Sequence, residues 1–244
     1  MSADLSLVLA CYNEEPVLET SVREIVRVLD FTRISYEIIF VDDVSRDRTR
    51  EIIRELAQAY PRVRMKSVFH EVNTGRGRAV ADGIRAAEGE IVGFLDVDLE
   101  VHARYIPAFC LAIRAGAQAA VGARVFKFVP RGMLRRILSA GYAALVHALL
   151  PVRGISDTES GCKFFLRAAV LPVLDRVNDP GWFWDTELMV RSRQAGLTIA
   201  EVPCTYIRNP AKRSSVRVIR DSATYFARLV AFRMRLGREG GTAP

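Results

Sequence analysis

The chain has 244 residues, half of them hydrophobic, enough for one large α/β domain or two small ones, and no window approaches the roughly 18 apolar residues of a membrane span. Its four cysteines (Cys11, Cys110, Cys162 and Cys204) lie far apart with no CxxC pair, which argues against a zinc site or a disulfide framework and fits a reducing cytoplasm. The net charge of +7 is concentrated: residues 208–238 hold nine Lys/Arg against Asp221, a local +8 that leaves −1 for the rest and suggests an anionic surface or a phosphate-bearing ligand, or else a solvated helix face.

The start, Met1 to Leu9, carries Asp4 and lacks a basic stretch before an apolar run, so it does not read as a signal peptide. Leu5 to Ala10 predicts a buried strand closed by Tyr12-Asn13-Glu14. Pro16 suits a first helical turn, and Val17, Val22, Ile25, Val26 and Leu29 recur at helical spacing. Glu37 to Val41 predicts a second strand ending in Asp42-Asp43, and Asp47 caps a helix to about Tyr60. Val63 to Phe69 reads as a third strand. Gly75 and Gly77 precede a helix that Gly89 ends, and Ile91 to Leu95 is a fourth strand stopping at Asp96. A helix near Ile106–Ala115 and a strand near Ala119–Gly122 follow. Strand and helix thus alternate five times, the pattern of a mostly parallel, Rossmann-like sheet with helices on both faces.

From about Phe126 the pattern changes. Met133 to Leu150 predicts one amphipathic helix. Ser156 to Phe165 turns from polar to apolar, Asp185 to Ala195 is helical, Leu197 to Val202 is a strand, and Val216 to Leu236 is a basic amphipathic helix. No repeat or Pro/Gly-rich linker appears. The chain is therefore expected to be one domain, with residues 1–125 as a ligand-binding half and 126–244 as a second half.

Ligands of such sheets bind outside the carboxyl ends of the strands, where Asn13, Glu14, Asp42, Asp43, Asp96 and Asp98 all fall. Asp96-Val97-Asp98 can hold a hard divalent cation, Mg²⁺ or Mn²⁺, whose other positions go to substrate phosphates, and Glu100 lies within reach; an acidic helix start would look the same. Asp42-Asp43 can accept from a base N–H or from ribose hydroxyls, or Asp43 and Ser45 can serve as caps. Asn73 to Ala79 offers backbone amides at Gly75 and charge at Arg76 or Arg78 to a phosphate, or else is a plain turn and helix start; the string also satisfies G-x-G-x-x-A, but two strands precede it, which argues against a dinucleotide fold. Asp185, beneath Trp182, Phe183 and Trp184, can be a general base or an N-cap. His70, His102 and His147 show no metal spacing.

Together these blocks resemble the family 2 glycosyltransferases, and within them the dolichyl-phosphate mannose and glucose synthases, over nearly the whole chain. Ala10-Cys-Tyr12-Asn13-Glu14 is similar to the first-strand motif, without its usual proline. Val41 to Thr49 is similar to VDDGSxDxT, with Val44 where glycine is usual. Asn73-Thr-Gly75-Arg-Gly77 with Gly83, Ala87 and Gly89, Asp96 to Glu100 (where Gln is common at 100), Gly122-Ala-Arg124, Asp157 to Lys163, Trp184 to Leu188 and Arg213-Ser214-Ser215 resemble the later blocks. The resemblance implies a GT-A fold and inverting, metal-dependent hexose transfer from GDP-mannose or a UDP-sugar to a polyprenyl phosphate, whose anionic oxygen needs no strong base. It implies nucleotide-sugar contacts at Tyr12, Asn13, Glu14, Asp42, Asp43, Gly75, Arg76, Asp96 and Val97. It assigns metal ligands to Asp96, Asp98 and Glu100, and catalytic roles to Asp98, Asp185 and Arg124. Arg124, Arg131, Arg208 and Arg213 are candidates for the acceptor phosphate. The basic end then faces anionic headgroups at the cytoplasmic face of a membrane. Two alternatives stand beside this: a soluble or polysaccharide acceptor with Asp185 as base, and a non-catalytic sugar-nucleotide-binding protein. No nucleic-acid recognition motif is present.

Overall fold

A computed structural model describes residues 3–126, 141, 145–152, 154–209 and 218–240. The chain clusters into two compact units, residues 1–127 with 155–212 and residues 128–154 with 213–244. The first holds a seven-stranded sheet in the order β3-β2-β1-β4-β6-β5-β7. Its strands are β1 (Leu5–Cys11), β2 (Tyr36–Asp42), β3 (Arg64–Phe69), β4 (Ile91–Leu95), β5 (Ala119–Phe126), β6 (Cys162–Leu166) and β7 (Ile199–Tyr206). Helices α1 (Leu18–Asp30), α2 (Thr49–Ala59), α3 (Arg76–Ala86), α4 (Ile106–Arg114), α5 (Arg167–Leu174) and α6 (Trp184–Gln194) cover it, with a 3₁₀ turn at Ala103–Tyr105.

The strands of the first half behave as their composition dictates. β1 is central, paired to β2 on one side and β4 on the other. It is therefore buried on both faces and reads as a continuous apolar run, whereas edge strand β3 is half exposed. Alternation sends Leu5, Leu7 and Leu9 to one face, packed with α1, α2 and α4. Val8, with Ile39 and Val41 of β2, goes to the other, with α3, α5 and α6. Each layer closes a separate hydrophobic cluster.

The expectation of a mostly parallel sheet holds, with one exception that builds the site. β6 runs antiparallel to both β4 and β5 and separates them. Cys162 pairs with Leu95 and Lys163 with Phe94, so the segment entering β6, residues 157–161, lies at the carboxyl end of β4. β5 runs to Phe126, longer than its expected end, because β7 pairs with its full length in parallel. α5 was not anticipated; it is short and carries Pro172. In the second unit, α7 (Val218–Gly240) matches the expected basic helix, and residues 145–149 are helical. The start of the expected 133–150 helix, Arg131 and Arg213 lie outside the described residues. Among the described residues no helix is long and apolar enough to cross a membrane.

Candidate active site

Three residues in the left-handed region mark the strand tips. Asn13 (φ 55), Val44 (φ 67) and Leu99 (φ 52) follow β1, β2 and β4 respectively. A β-branched residue at such a φ costs about 1–3 kcal/mol, and such strain gathers at functional sites. Val44 occupies the position where the motif usually has glycine, the residue this backbone favours.

The two loops beyond β1 and β2 are stitched together. Ser45 Oγ accepts from Asn13 N (2.9 Å), and Asn13 Oδ1 accepts from Arg46 N (2.8 Å). Thr49 Oγ1 accepts from Glu14 N (2.8 Å), and Asp47 Oδ2 accepts from Glu15 N (3.1 Å). Asp47 Oδ1 also accepts from Thr49 N (3.0 Å) and steadies the start of α2, but the N-cap is Arg48 and not Asp47 as expected. Asn13 and buried Glu14 thus hold this pair of loops, and Tyr12 stays half exposed on the rim.

The paired carboxylates of β2 divide their work. Asp43 Oδ1 accepts from Thr74 N (2.7 Å), Thr74 Oγ1 (3.0 Å) and His70 Nδ1 (2.9 Å), and its Oδ2 accepts from Gly75 N (2.8 Å). Burial alone would raise the Asp43 pKa, but these hydrogen bonds hold it below the usual carboxylate range. Gly75, at φ 92, turns its amide onto Asp43; that amide is not presented to a phosphate, contrary to expectation. Asp42 is fully buried. Its Oδ2 accepts from Arg50 Nε (2.5 Å) and Ser45 N (3.2 Å), while its Oδ1 has no hydrogen-bond partner among the described residues. Asp42 thus keeps an unsatisfied acceptor, but one sealed from solvent.

A chain of charges crosses the carboxyl end of β4. Arg76, at the start of α3, donates to Asp96 Oδ1 from Nε (3.0 Å) and Nη2 (2.6 Å), and to Asp185 Oδ2 from Nη1 (2.5 Å). Phe94 and Trp182 lie against its guanidinium, 5.7 and 5.4 Å from carbon to ring centroid. Asp185 Oδ1 accepts from fully buried Lys163 Nζ (2.6 Å), which also donates to Ser160 O. The Asp185 side chain is only 4 % exposed, against 40 % for Asp96. Asp185 sits in the first turn of α6 without capping it; the N-cap is Phe183.

Asp96 and Asp98 lie half-buried at the strand tip. Asp96 N donates to Gly161 O (3.0 Å), and a Cβ built on Gly161 would fall 1.7 Å from Asp96 Oδ2. The bare glycine leaves that oxygen its space. Asp98 Oδ1 accepts from Glu100 N (3.3 Å). The Val97 side chain is packed in the core, which leaves only its backbone for a ligand. Glu100 Oε2 accepts from Tyr206 OH, and burial together with that contact raises the tyrosine pKa. Among the described residues no three His, Cys, Asp or Glu side chains gather to hold a metal. A hard oxygen pair, Asp96 with Asp98, still suits Mg²⁺ or Mn²⁺ completed by phosphate oxygens.

A small cleft lined by Leu95, Asp96, Glu100, Val101, Arg124, Gly161 and Tyr206 opens beside this pair. Arg124 binds Asp157 through Nε–Oδ2 (2.5 Å) and Nη2–Oδ1 (2.9 Å), and stacks 5.6 Å from the Tyr206 ring. Burial opposes the Arg124 charge, but Asp157 outweighs it and keeps the guanidinium firmly ionised. Half-buried Glu159 belongs to the same segment. Burial pushes its pKa up to about 7; Asp157 and Asp185 add to the rise, and Arg124 and Lys163 oppose it. Arg208 is exposed beyond β7. Asp157, Glu159, Lys163 and Tyr206 had no role assigned from sequence.

The model of glycosyl transferase family 2 matches residues 6–174, more than half of the chain. The chain belongs to glycosyltransferase family 2. It is a glycosyltransferase with a GT-A fold. It is 33 % identical over 224 residues to glycosyltransferase AglD of Haloferax volcanii, covering 89 % of this chain and 35 % of AglD. Dolichyl-phosphate beta-glucosyltransferase ALG5A of Trichomonas vaginalis is 29 % identical over 244 residues, covering 95 % of this chain and 74 % of its own length. The chain thus spans about a third of AglD and about three quarters of ALG5A. Glucosyl-3-phosphoglycerate synthase of Mycobacterium tuberculosis, solved with Mn²⁺, UDP and glucosyl-3-phosphoglycerate, shares the fold: TM-score 0.69 at 22 % identity, covering 95 % of this chain and 80 % of that one.

Proposed function

We propose that this glycosyltransferase moves a hexose, with inversion, from a nucleotide diphosphate-sugar (GDP-mannose or a UDP-sugar) to a polyprenyl phosphate at the cytoplasmic surface of a membrane. The observation that carries the reading is the β4 tip: Asp96 is partly exposed, cleared by Gly161 and held by Arg76. Asp96 and Asp98 would hold Mg²⁺ or Mn²⁺, which supplies positive charge against the departing diphosphate. Tyr206 holds Glu100 Oε2 beside them, which leaves the other Glu100 oxygen within the same cleft. The donor set is all hard oxygen, as such an ion requires.

The chain's own residues supply the rest. Asp42 Oδ1, buried and unpartnered, becomes an acceptor for the nucleobase only once the loops over it part, while Asp43 anchors the loop that carries Arg76. Arg76, aimed by Asp185 and in contact with Phe94 and Trp182, steadies the phosphate side of the donor. Arg124 and exposed Arg208 bind the acceptor phosphate, which approaches already ionised and attacks the anomeric carbon. The kinship with dolichyl-phosphate glucosyltransferases supports that acceptor.

A soluble acceptor would need a general base, and Asp185 is poorly suited to that role because Lys163 and Arg76 occupy both its oxygens. A panel of nucleotide-sugars offered with a short polyprenyl phosphate and Mn²⁺ tests the proposal. One donor should give glycolipid, and EDTA should abolish the product. Turnover that ignores EDTA, or sugar passed only to neutral hydroxyl acceptors, would sink it.

A further inference from the structure

α7 carries two apolar rows, one buried and one exposed. Leu229, Phe232 and Leu236, spaced three and four apart, are buried. Along an adjoining, outward side Phe226 is 51 % and Met234 58 % exposed. Half-buried Val230 lies between them at i+4, and the small Ala227, Ala231 and Gly237 complete the strip. Arginines border it. Exposed Arg233 lies along one edge, half-buried Arg228 and Arg235 along the other, and exposed Arg238 near the end. The helix carries five arginines against Asp221 and Glu239, a net +3.

An occupant of this face must offer an apolar interior and an anionic skin. A second copy packed face to face would set arginine borders against each other. An anionic bilayer meets both demands at one depth. Apolar side chains enter the acyl boundary while arginine stems reach back to the phosphates. With five arginines in 23 residues the helix is not apolar enough to cross.

We propose that the Phe226–Val230–Met234 face of α7 docks this enzyme flat on an anionic phospholipid surface. The inference deepens the proposed use of a lipid acceptor and rests on that reading for its purpose.

The full chain is mixed with vesicles of phosphatidylcholine alone or with about 30 % phosphatidylglycerol, at about 0.15 M salt, and floated on a density gradient. It should float with the anionic vesicles only. The double variant Phe226→Ser/Met234→Ser should partition about tenfold less or weaker still, and Arg233→Glu/Arg238→Glu should behave likewise. Phe31→Ser, at a side chain 88 % exposed in the other unit, should bind as the parent does. A Phe226→Trp reporter should shift its emission to the blue on anionic vesicles. Docking is overturned if the parent stays off the vesicles, if the double serine variant floats equally well, or if that variant only splits a dimer while vesicles are ignored. All variants are also assayed for transfer to a short water-soluble polyprenyl phosphate, which should be unchanged. A chain that docks through α7 but transfers no sugar refutes the proposed reaction and supports the docking; one that transfers sugar yet ignores vesicles overturns the docking alone.

Discussion

Asp185 lies between two cations, with Lys163 Nζ at 2.6 Å and Arg76 Nη1 at 2.5 Å, and almost no exposed surface. A carboxylate so placed orients its neighbours. Asp185→Asn should therefore raise the KM for nucleotide-sugar about tenfold and lower kcat by a similar factor or less, because Arg76 loses its aim. Steady-state kinetics decide the matter, since removing a true general base lowers kcat by about 10²–10⁴. The variant should also melt earlier, by about 3 kcal/mol of stability, because Lys163 is left buried beside a neutral amide. These roles were only partly legible in the sequence. The acidic residues at the strand ends could be read as a site, yet nothing in Asp42-Asp43 says which of the two is saturated by residues 70–75. That depends on a loop some thirty residues away. Asp185 is a similar case: its partners come from α3 and β6, and no local pattern records them.

At the scale of elements, the first half of the fold was readable because strand, turn and helix alternate locally and each apolar run declares its period. β6 was not readable as the antiparallel intruder between β4 and β5, since that pairing is a long-range choice, and α5 hid behind Pro172. The intrusion matters because it places Gly161 against Asp96. Gly161→Ala would drive a methyl into the Asp96 carboxylate, at 1.7 Å from Oδ2 before anything moves. The strand tip must rotate that side chain away or shift β6. Transfer activity should fall by about a hundredfold, with stability lowered by only about 1–3 kcal/mol, the usual cost of local overpacking. Circular dichroism and a urea melt would check that the sheet survives. Full activity in this variant would mean that Asp96 does not need the orientation it has here.

At the scale of the molecule, every described site residue belongs to the unit formed by 1–127 and 155–212. A ligand that bridges its strand tips therefore stabilises that unit by linkage. Nucleotide at about a hundredfold over its Kd adds about 2.7 kcal/mol to the folded state. For a chain of this size that is a rise in Tm of about 5–10 °C. The proposed site predicts that Mn²⁺ alone gives a small rise, because Asp96 and Asp98 supply two ligands and the phosphates the remainder. Mn²⁺ together with either UDP or GDP should give the full rise, and the nucleotide that works names the base the site takes. Differential scanning fluorimetry across the four combinations reads this directly. Chelation should return the melting point to that of the free chain. A nucleotide shift of equal size with and without the ion would separate diphosphate binding from Asp96 and Asp98, and would move the burden of charge to Arg76 and Arg124.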